Sequence, residues 1–379
     1  MLIYMLFYFS FYFTLGASMI YFSQFFSAIN ISGEQSGMIF AIGSFSAMVF
    51  QPVLGYINDK TKKSKEILII ITGILFITLL LMNYMNSFIG ILTLYSIYAI
   101  VVFCEMSLMD IVSLSTDYAF GKIRLWGSIG FAVGALVSGK VIETFGSSSF
   151  LYLAAVVSII TGIIILKIPV KINNLHADHQ KVDIKKLLTN KKYIVFVIVS
   201  MLFLGTNNGH NSYFAVYFKE IGGSMALLGT TIFLMTLSEV PFMGISTRII
   251  NKKGVEFVVT LAILCITIRW GVYFFFSKPS VIAVTFLSQG ASVGLFFAGA
   301  NLFIRSIVEK NTLGTAITIF MAAGSLGGMF VQYISGVIIE QYGAVYIYGF
   351  FTILAFVSLV LMLSEKKIKN KKNRIKRRV

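Results

Sequence analysis

The sequence predicts an all-α integral membrane protein of 12 transmembrane helices, arranged as two pseudo-symmetric six-helix bundles. Three observations carry this. Hydrophobic residues make up 57% of the 379 and charged residues 12%, with a mean hydropathy of +0.87, whereas soluble domains carry about 25% charged residues. Apolar runs of roughly 20 residues recur from end to end, each long enough to cross about 30 Å of hydrocarbon. The second half of the chain also repeats features of the first. In lipid a spanning segment closes its own backbone hydrogen bonds, so runs of this length are helices. A β-barrel would show alternating segments of roughly ten residues, which is not the pattern here.

In order, the runs fall at 2–26, 35–57, 66–86, 88–112, 123–142 and 148–167, then at 193–218, 224–249, 255–276, 279–304, 312–339 and 344–364. The first is too long for the apolar core of a secretory signal, and no small-x-small site follows it, so it is expected to stay as an anchor. The connections alternate in charge. Lys60, Lys62, Lys63 and Lys65 follow the second run, Lys122 precedes the fifth, and Lys167, Lys171, Lys181, Lys185, Lys186, Lys191 and Lys192 follow the sixth. Arg248, Lys252 and Lys253 follow the eighth, and Arg305 and Lys310 the tenth. Lys366, Lys367, Lys369, Lys371, Lys372, Arg374, Lys376, Arg377 and Arg378 follow the twelfth. These even-numbered connections hold 26 of the 31 basic residues, and the odd-numbered ones only Lys140, Lys219 and Lys278. This positive-inside asymmetry places both termini in the cytoplasm of a multi-pass protein. Frequent Lys, Ile and Asn suggest an AT-rich bacterial genome, hence a bacterial inner membrane. The net charge of +16 is then a matter of topology and anionic lipid heads, and no nucleic-acid partner is expected.

The longest internal polar stretch, 168–192, separates six runs from six. The expected organisation is a first bundle at 1–167, a cytoplasmic loop at 168–192, a second bundle at 193–364 and a basic tail at 365–379. His176 and His179 read as members of a solvated loop rather than metal ligands. Cys104 and Cys265 fall inside spans of different halves and are expected to pack as small apolar residues.

The repeat is explicit in the fifth and eleventh runs. Gly127/Gly324, Ser128/Ser325, Gly130/Gly327, Ser138/Ser335, Gly139/Gly336, Ile142/Ile339, Glu143/Glu340 and Gly146/Gly343 match at a constant offset of 197. Pro52-x-x-Gly55 and Pro241-x-x-Gly244 match at an offset of 189. Both pairs are six helices apart, as a duplicated six-helix unit requires. The small residues let helix backbones approach closely where no hydrophobic force draws helices together.

Gly55-Tyr56-Ile57-Asn58-Asp59-Lys60-Thr61-Lys62-Lys63 is similar to the loop 2–3 signature of the major facilitator superfamily, G-x-x-x-D-R/K-x-x-R/K. The resemblance implies an inner gate built from Gly55, Asp59 and Lys60, with Asp59 facing the positive start of the eleventh helix; the plainer reading is a charged loop. Phe120-Gly121-Lys122-Ile123-Arg124-Leu125-Trp126-Gly127-Ser128-Ile129-Gly130 resembles the start of helix five in the lactose permease-like branch, which includes oligosaccharide, nucleoside and phenylpropionate proton symporters. Thr236-Leu237-Ser238-Glu239-Val240-Pro241 and Thr267-Ile268-Arg269-Trp270 resemble its glutamate-bearing helix eight and arginine-bearing helix nine. The sequence departs from the branch at four places. Gln289 stands where many relatives have a histidine, and Ser292 where the lactose permease has an acid. Phe131 replaces a tryptophan that stacks on sugar, and Gly324 replaces a lysine.

Ionisable residues at bilayer depth cost several kcal/mol and mark function by default. Arg124 offers a permanently charged planar fork for hydroxyls or a carboxylate, and the resemblance implies a substrate contact there. Its alternative is a partnership with Asp110 that only fixes packing. Asp110 lies near the position where the branch carries an acid paired with this arginine. Glu105, five residues back, sits roughly 140° around the helix, so the two carboxylates cannot share one face. Glu239 is the leading candidate to carry a proton, since a carboxyl can cross apolar surroundings in its neutral form. Arg269 would balance it when ionised, or hold it in a permanent salt bridge. Asn207, His210, Asn211 and Gln289 form a polar set suited to sugar hydroxyls or a nucleobase, with Phe131 as an aromatic platform; His210 also reads as a packing residue.

The resemblance therefore implies solute uptake coupled to protons by alternating access, with sugars or oligosaccharides first and nucleosides second. The alternatives are proton-antiport efflux of drugs or aromatic metabolites, and a non-transporting receptor or scaffold. Neither a nucleophile–base pair, a P-loop nor a metal-spaced ligand set is evident, so no enzyme activity, cofactor or metal is expected. The expected partners are a small-molecule solute, protons and the lipid bilayer, with the chain acting as a monomer.

Overall fold

The computed structural model describes residues 1–114, 116, 118–169, 187, 189–309 and 312–376, the side chains of Asp59 and 365–376 excepted. Among these residues, 12 helices are long and apolar enough to cross a membrane. They are α1 (Leu2–Ala28), α2 (Gly33–Asn58), α3 (Ser64–Met82), α4 (Phe88–Leu114), α5 (Phe120–Phe145), α6 (Ser149–Leu166), α7 (Lys191–Glu220), α8 (Met225–Lys253), α9 (Val255–Phe275), α10 (Leu287–Ile307), α11 (Leu313–Tyr342) and α12 (Val345–Ser364). The expected membrane fold is the one observed. The segment 168–192 lies largely outside the described residues, with His176 and His179. The helix of α12 continues to Lys376. Cys104 and Cys265 are free.

Local chemistry sets the helix ends. Ser32 starts α2 with a capping box, its hydroxyl accepting from Gln35 N while the Gln35 side chain accepts from Ser32 N. Asn190 and Ser224 cap α7 and α8 by accepting from Tyr193 N and Leu227 N. Each such cap is worth about 1 kcal/mol. Gly146 and Gly343 stop α5 and α11 with the same φ of 96°, a left-handed conformation that glycine adopts without steric cost. They are equivalent positions of the repeat.

One element differs from expectation. A single tenth run was expected over 279–304. Instead a short helix, Pro279–Val284, precedes α10, and α10 carries a π-helical turn at Gly290–Gly294. The cause lies in α8. A Cβ at Gly290 would overlap the Ser238 carbonyl oxygen, and Gly290 N donates to Ser238 Oγ at 3.1 Å. The helix widens where it rests on its neighbour.

The repeated glycines do the same work in both halves. A Cβ at Gly130 of α5 would overlap the Phe9 carbonyl of α1, and a Cβ at Gly327 of α11 would overlap the Met201 carbonyl of α7. These contacts weld α1 to α5 and α7 to α11. Between the halves, Gly139 of α5 rests on the Met225 carbonyl at the start of α8, and Gly336 of α11 on the Gly33 carbonyl at the start of α2. These contacts between the halves lie along α2–α11 and α5–α8, all at one end among the described residues. At the other end of the same four helices, no neighbouring heavy atom lies within 4 Å of where a Cβ would sit on Gly55, Gly121, Gly244 or Gly314. The space between the halves is closed at one end and open at the end bearing Lys60, Lys122 and Lys252.

Candidate functional site

A cavity of about 380 Å³ lies between the halves. Arg124, Phe131, Asn207, His210, Asn211, Glu239 and Gln289 all line it, seven residues anticipated from the sequence. Asp110 and Arg269 stand behind the wall, each bonded to residues that line it. Gly55 lies apart at the open end, where Lys60 is exposed. The Asp59 side chain is outside the described residues, so its expected contact with α11 is too.

On the first-half wall, close packing of α1 on α5 brings the chemistry together. Gly16, Gly130 and Gly134 each place backbone against backbone, which carries Tyr8 and Tyr12 of α1 beside Arg124. Arg124 Nη1 donates to Asp110 Oδ2 at 3.0 Å and to Oδ1 at 3.2 Å. The buried Tyr8 hydroxyl donates to the same Oδ1 at 2.6 Å. Arg124 spends only one of its terminal nitrogens on Asp110, and its side chain is 49% exposed. Donors are therefore left facing the cavity. Tyr8, and Tyr12 in the wall itself, were not singled out in the sequence, where they are two of 18 tyrosines.

The second-half wall holds a continuous polar chain. Gln289 Nε2 donates to Glu239 Oε1 at 2.9 Å, and Gln289 Oε1 accepts from Arg269 Nη1. Arg269 Nη2 bonds His210 Nε2 at 3.1 Å, and His210 Nδ1 bonds the Tyr348 hydroxyl at 2.8 Å. A guanidinium only donates, so Nε2 accepts and the imidazole proton sits on Nδ1. The adjacent rings of Trp270 and Tyr273 lie against the guanidinium, their centroids 4.7 and 5.3 Å from it. A direct Glu239–Arg269 salt bridge does not form, because Gln289 is interposed with its oxygen to the cation and its amide nitrogen to the carboxylate. Both ring nitrogens of His210 are spent in this chain, and so are both ends of Gln289.

The asparagines differ from this. The side chains of Asn208 and Asn211 line the cavity without a protein hydrogen bond among the described residues, and Asn207 Oδ1 is buried without a partner. Asn208, in the middle of the polar cluster, was not singled out in the sequence. Its amide lies against Gly328 of α11, where a Cβ would come within 2.7 Å of Asn208 Nδ2.

Glu105 points elsewhere. It is fully buried against α3 and accepts from Thr72 Oγ1 at 2.8 Å through one oxygen, while Oε2 has no partner. It touches neither Arg124 nor the cavity. Glu105→Gln keeps the acceptor and the shape, so uptake is expected to stay within about twofold of the parent. A loss beyond about 1.4 kcal/mol of activation, or tenfold in initial rate, would place Glu105 in the transport machinery.

Residues 1–350 match the family model described as MFS_1 like family. The chain is 28% identical over 347 residues to an uncharacterized transporter, YwbF, of Bacillus subtilis (strain 168), covering 89% of this chain and 87% of that one. It is 27% identical over 378 residues to a maltose permease of Geobacillus stearothermophilus, covering 96% and 94% of the two chains. Among solved structures, a crystal structure of the nucleoside transporter NupG superposes with a TM-score of 0.84 at 18% identity, covering 96% of this chain and 98% of that one. That likeness is one of fold.

Proposed function

The chain belongs to the MFS_1 like family, and from that membership we propose that it takes up a sugar or oligosaccharide, with nucleosides as the second class, together with protons. It is a secondary transporter and not an enzyme, and a multi-pass protein of the bacterial inner membrane. The bundles 1–167 and 193–364 would rock about the cavity, joined by the loop 168–192, with both termini and the basic tail 365–379 cytoplasmic. The open end would then face the cytoplasm, and Gly55, Asp59 and Lys60 would close it in the opposite state. The chain would work as a monomer in the bilayer.

The balance of charge in the cavity carries the reading. Arg124 faces Asp110, and Arg269 reaches Glu239 through Gln289, so neither wall leaves a charge for an ionic solute to answer. What remains unsatisfied are the amides of Asn207, Asn208 and Asn211, and the spare donors of Arg124, whose charge Asp110 balances. Aromatic faces of Tyr12, Phe131, Phe214 and Phe297 surround them. Uncharged hydroxyls on a ring fit such a wall, the ring against the aromatics and the hydroxyls on the amides. The similarity to a maltose permease agrees with this class. Arg124, held by Asp110, would anchor the solute, with Phe131 as platform and Asn207 and Asn211 as further contacts. His210 and Gln289 would order the second wall, and Glu239 with Arg269 would carry the proton step.

The test is proton movement in de-energised cells containing the protein. Unlabelled sugars, nucleosides and aromatic acids are added one at a time while external pH is recorded. Alkalinisation with a sugar, lost in Arg124→Ala, is the expected outcome. A pH response to aromatic acids alone, or to no solute in cells with confirmed membrane protein, would overturn the reading in favour of another solute class or of efflux.

A further inference from the structure

Two glutamates lie outside the cavity and have no part in the scheme above. Glu143 is near the end of α5 and Glu340 near the end of α11, at equivalent positions of the repeat. Each accepts a hydrogen bond from the first amide of a helix in the opposite half. Met225 N, at the start of α8, donates to Glu143 Oε2 at 2.9 Å, and Gly33 N, at the start of α2, donates to Glu340 Oε2 at 2.5 Å. The first amides of a helix have no partner within it. Ser224 and Ser32 each satisfy another amide of the same turn, Leu227 N at 3.2 Å and Gln35 N at 3.3 Å. A further bond is supplied from the opposite half by a carboxylate. It is charge-assisted and directed at the positive end of a helix dipole. One turn back, Gly139 and Gly336 rest on the same two helix starts, so each glutamate can reach.

We propose that Glu143 and Glu340 are paired residues of the transport cycle, a two-fold latch in which each half clamps a helix start of the other and keeps this end of the cavity shut. The proposal rests on the rocking motion described above, but not on the solute or the proton. Both carboxylates are exposed, so water can take over each amide as the halves part, and the latch releases without stranding a buried group. The molecule also contains its own comparison. Ala344 N, at the start of α12, donates to Glu220 Oε1 and Oε2 at 3.0 and 2.8 Å. This is the same kind of bond, but α7 and α12 belong to one half. Removing it can loosen that half without parting the two.

The experiment measures distance in the full-length protein in lipid nanodiscs, without solute. Spin labels go on Asn86→Cys, between α3 and α4, and Lys278→Cys, between α9 and α10, with Cys104 and Cys265 replaced by alanine. Asn86 and Lys278 are both exposed at the closed end. The parent is expected to give one dominant short distance. Glu143→Ala with Glu340→Ala is expected to raise a longer-distance population by about threefold or more, since a shift of this size follows from a modest change in the two-state equilibrium. Glu220→Ala is expected to lower thermal stability and leave the distances unchanged. An unchanged distribution in the double variant overturns the latch, and so does the same shift in Glu220→Ala. Should the alanine pair not reach the membrane, Glu143→Gln with Glu340→Gln keeps the side-chain shape and removes the charge. Its distance distribution is then decided by the same two outcomes.

Discussion

Arg124→Ala is expected to reduce initial uptake about a hundredfold or more when solute is well below its half-saturating concentration. Hydrogen bonds to a charged group contribute about 1.5–3 kcal/mol each, and 1.4 kcal/mol is a factor of ten in affinity. Losing two donors to the solute is therefore enough. Arg124→Lys keeps the charge but not the planar fork, and a loss of about tenfold is expected. The Asp110 partnership allows a sharper distinction. Arg124→Ala leaves Asp110 with only the Tyr8 hydroxyl, and an unpaired carboxylate at a half-buried site destabilises the protein. Arg124→Ala combined with Asp110→Ala removes that cost. If Arg124 contacts the solute, membrane abundance recovers in the double variant and uptake does not. Recovery of uptake would reduce the pair to a packing device.

Glu239→Gln is expected to abolish accumulation while exchange across the membrane continues. One charge moved through 100 mV is worth about 2.3 kcal/mol, which sustains a solute gradient of about fortyfold. A variant that carries no proton should settle at a ratio near one. The geometry isolates this effect, because a glutamine at 239 can still accept from Gln289 Nε2 and the wall keeps its shape. Solute counterflow should stay within a few-fold of the parent. The pH response has a definite sign: since the proton is a co-substrate, parent uptake rises as external pH falls, and uptake by the variant should be flat. Full proton-dependent accumulation by Glu239→Gln would falsify the coupling role.

Much of the fold was legible because bilayer depth imposes a length on each apolar run and the repeat fixes which runs correspond. Sequence spacing also separated the two acids of α4. The angle between Glu105 and Asp110 excluded a shared face, and Glu105 indeed turns to Thr72 while Asp110 meets Arg124. The π turn of α10 was not legible, since it depends on where Ser238 of another helix sits. Nor was the interposition of Gln289. A glutamate and an arginine on adjacent helices suggest a direct pair, and only three-dimensional spacing shows an amide between them. Tyr8 and Tyr348 were hidden by composition. Among many aromatics serving as apolar bulk, a hydroxyl with a specific partner carries no distinguishing mark.

The contact between the halves also bears on speed. At Gly33, Gly37, Gly139, Gly229 and Gly336 main chain lies against main chain. In an interdigitated helix interface, separation draws each side chain from its socket, and tight van der Waals contacts are lost before water can enter. Smooth surfaces part without that ratchet: few rotamers must be unlocked and little friction opposes the first ångström of movement. The glycine seam therefore sets a low kinetic barrier to opening independently of how stable the closed state is. Bulkier residues along it would meet the facing main chain, so they would change the balance between the two states as well as the barrier.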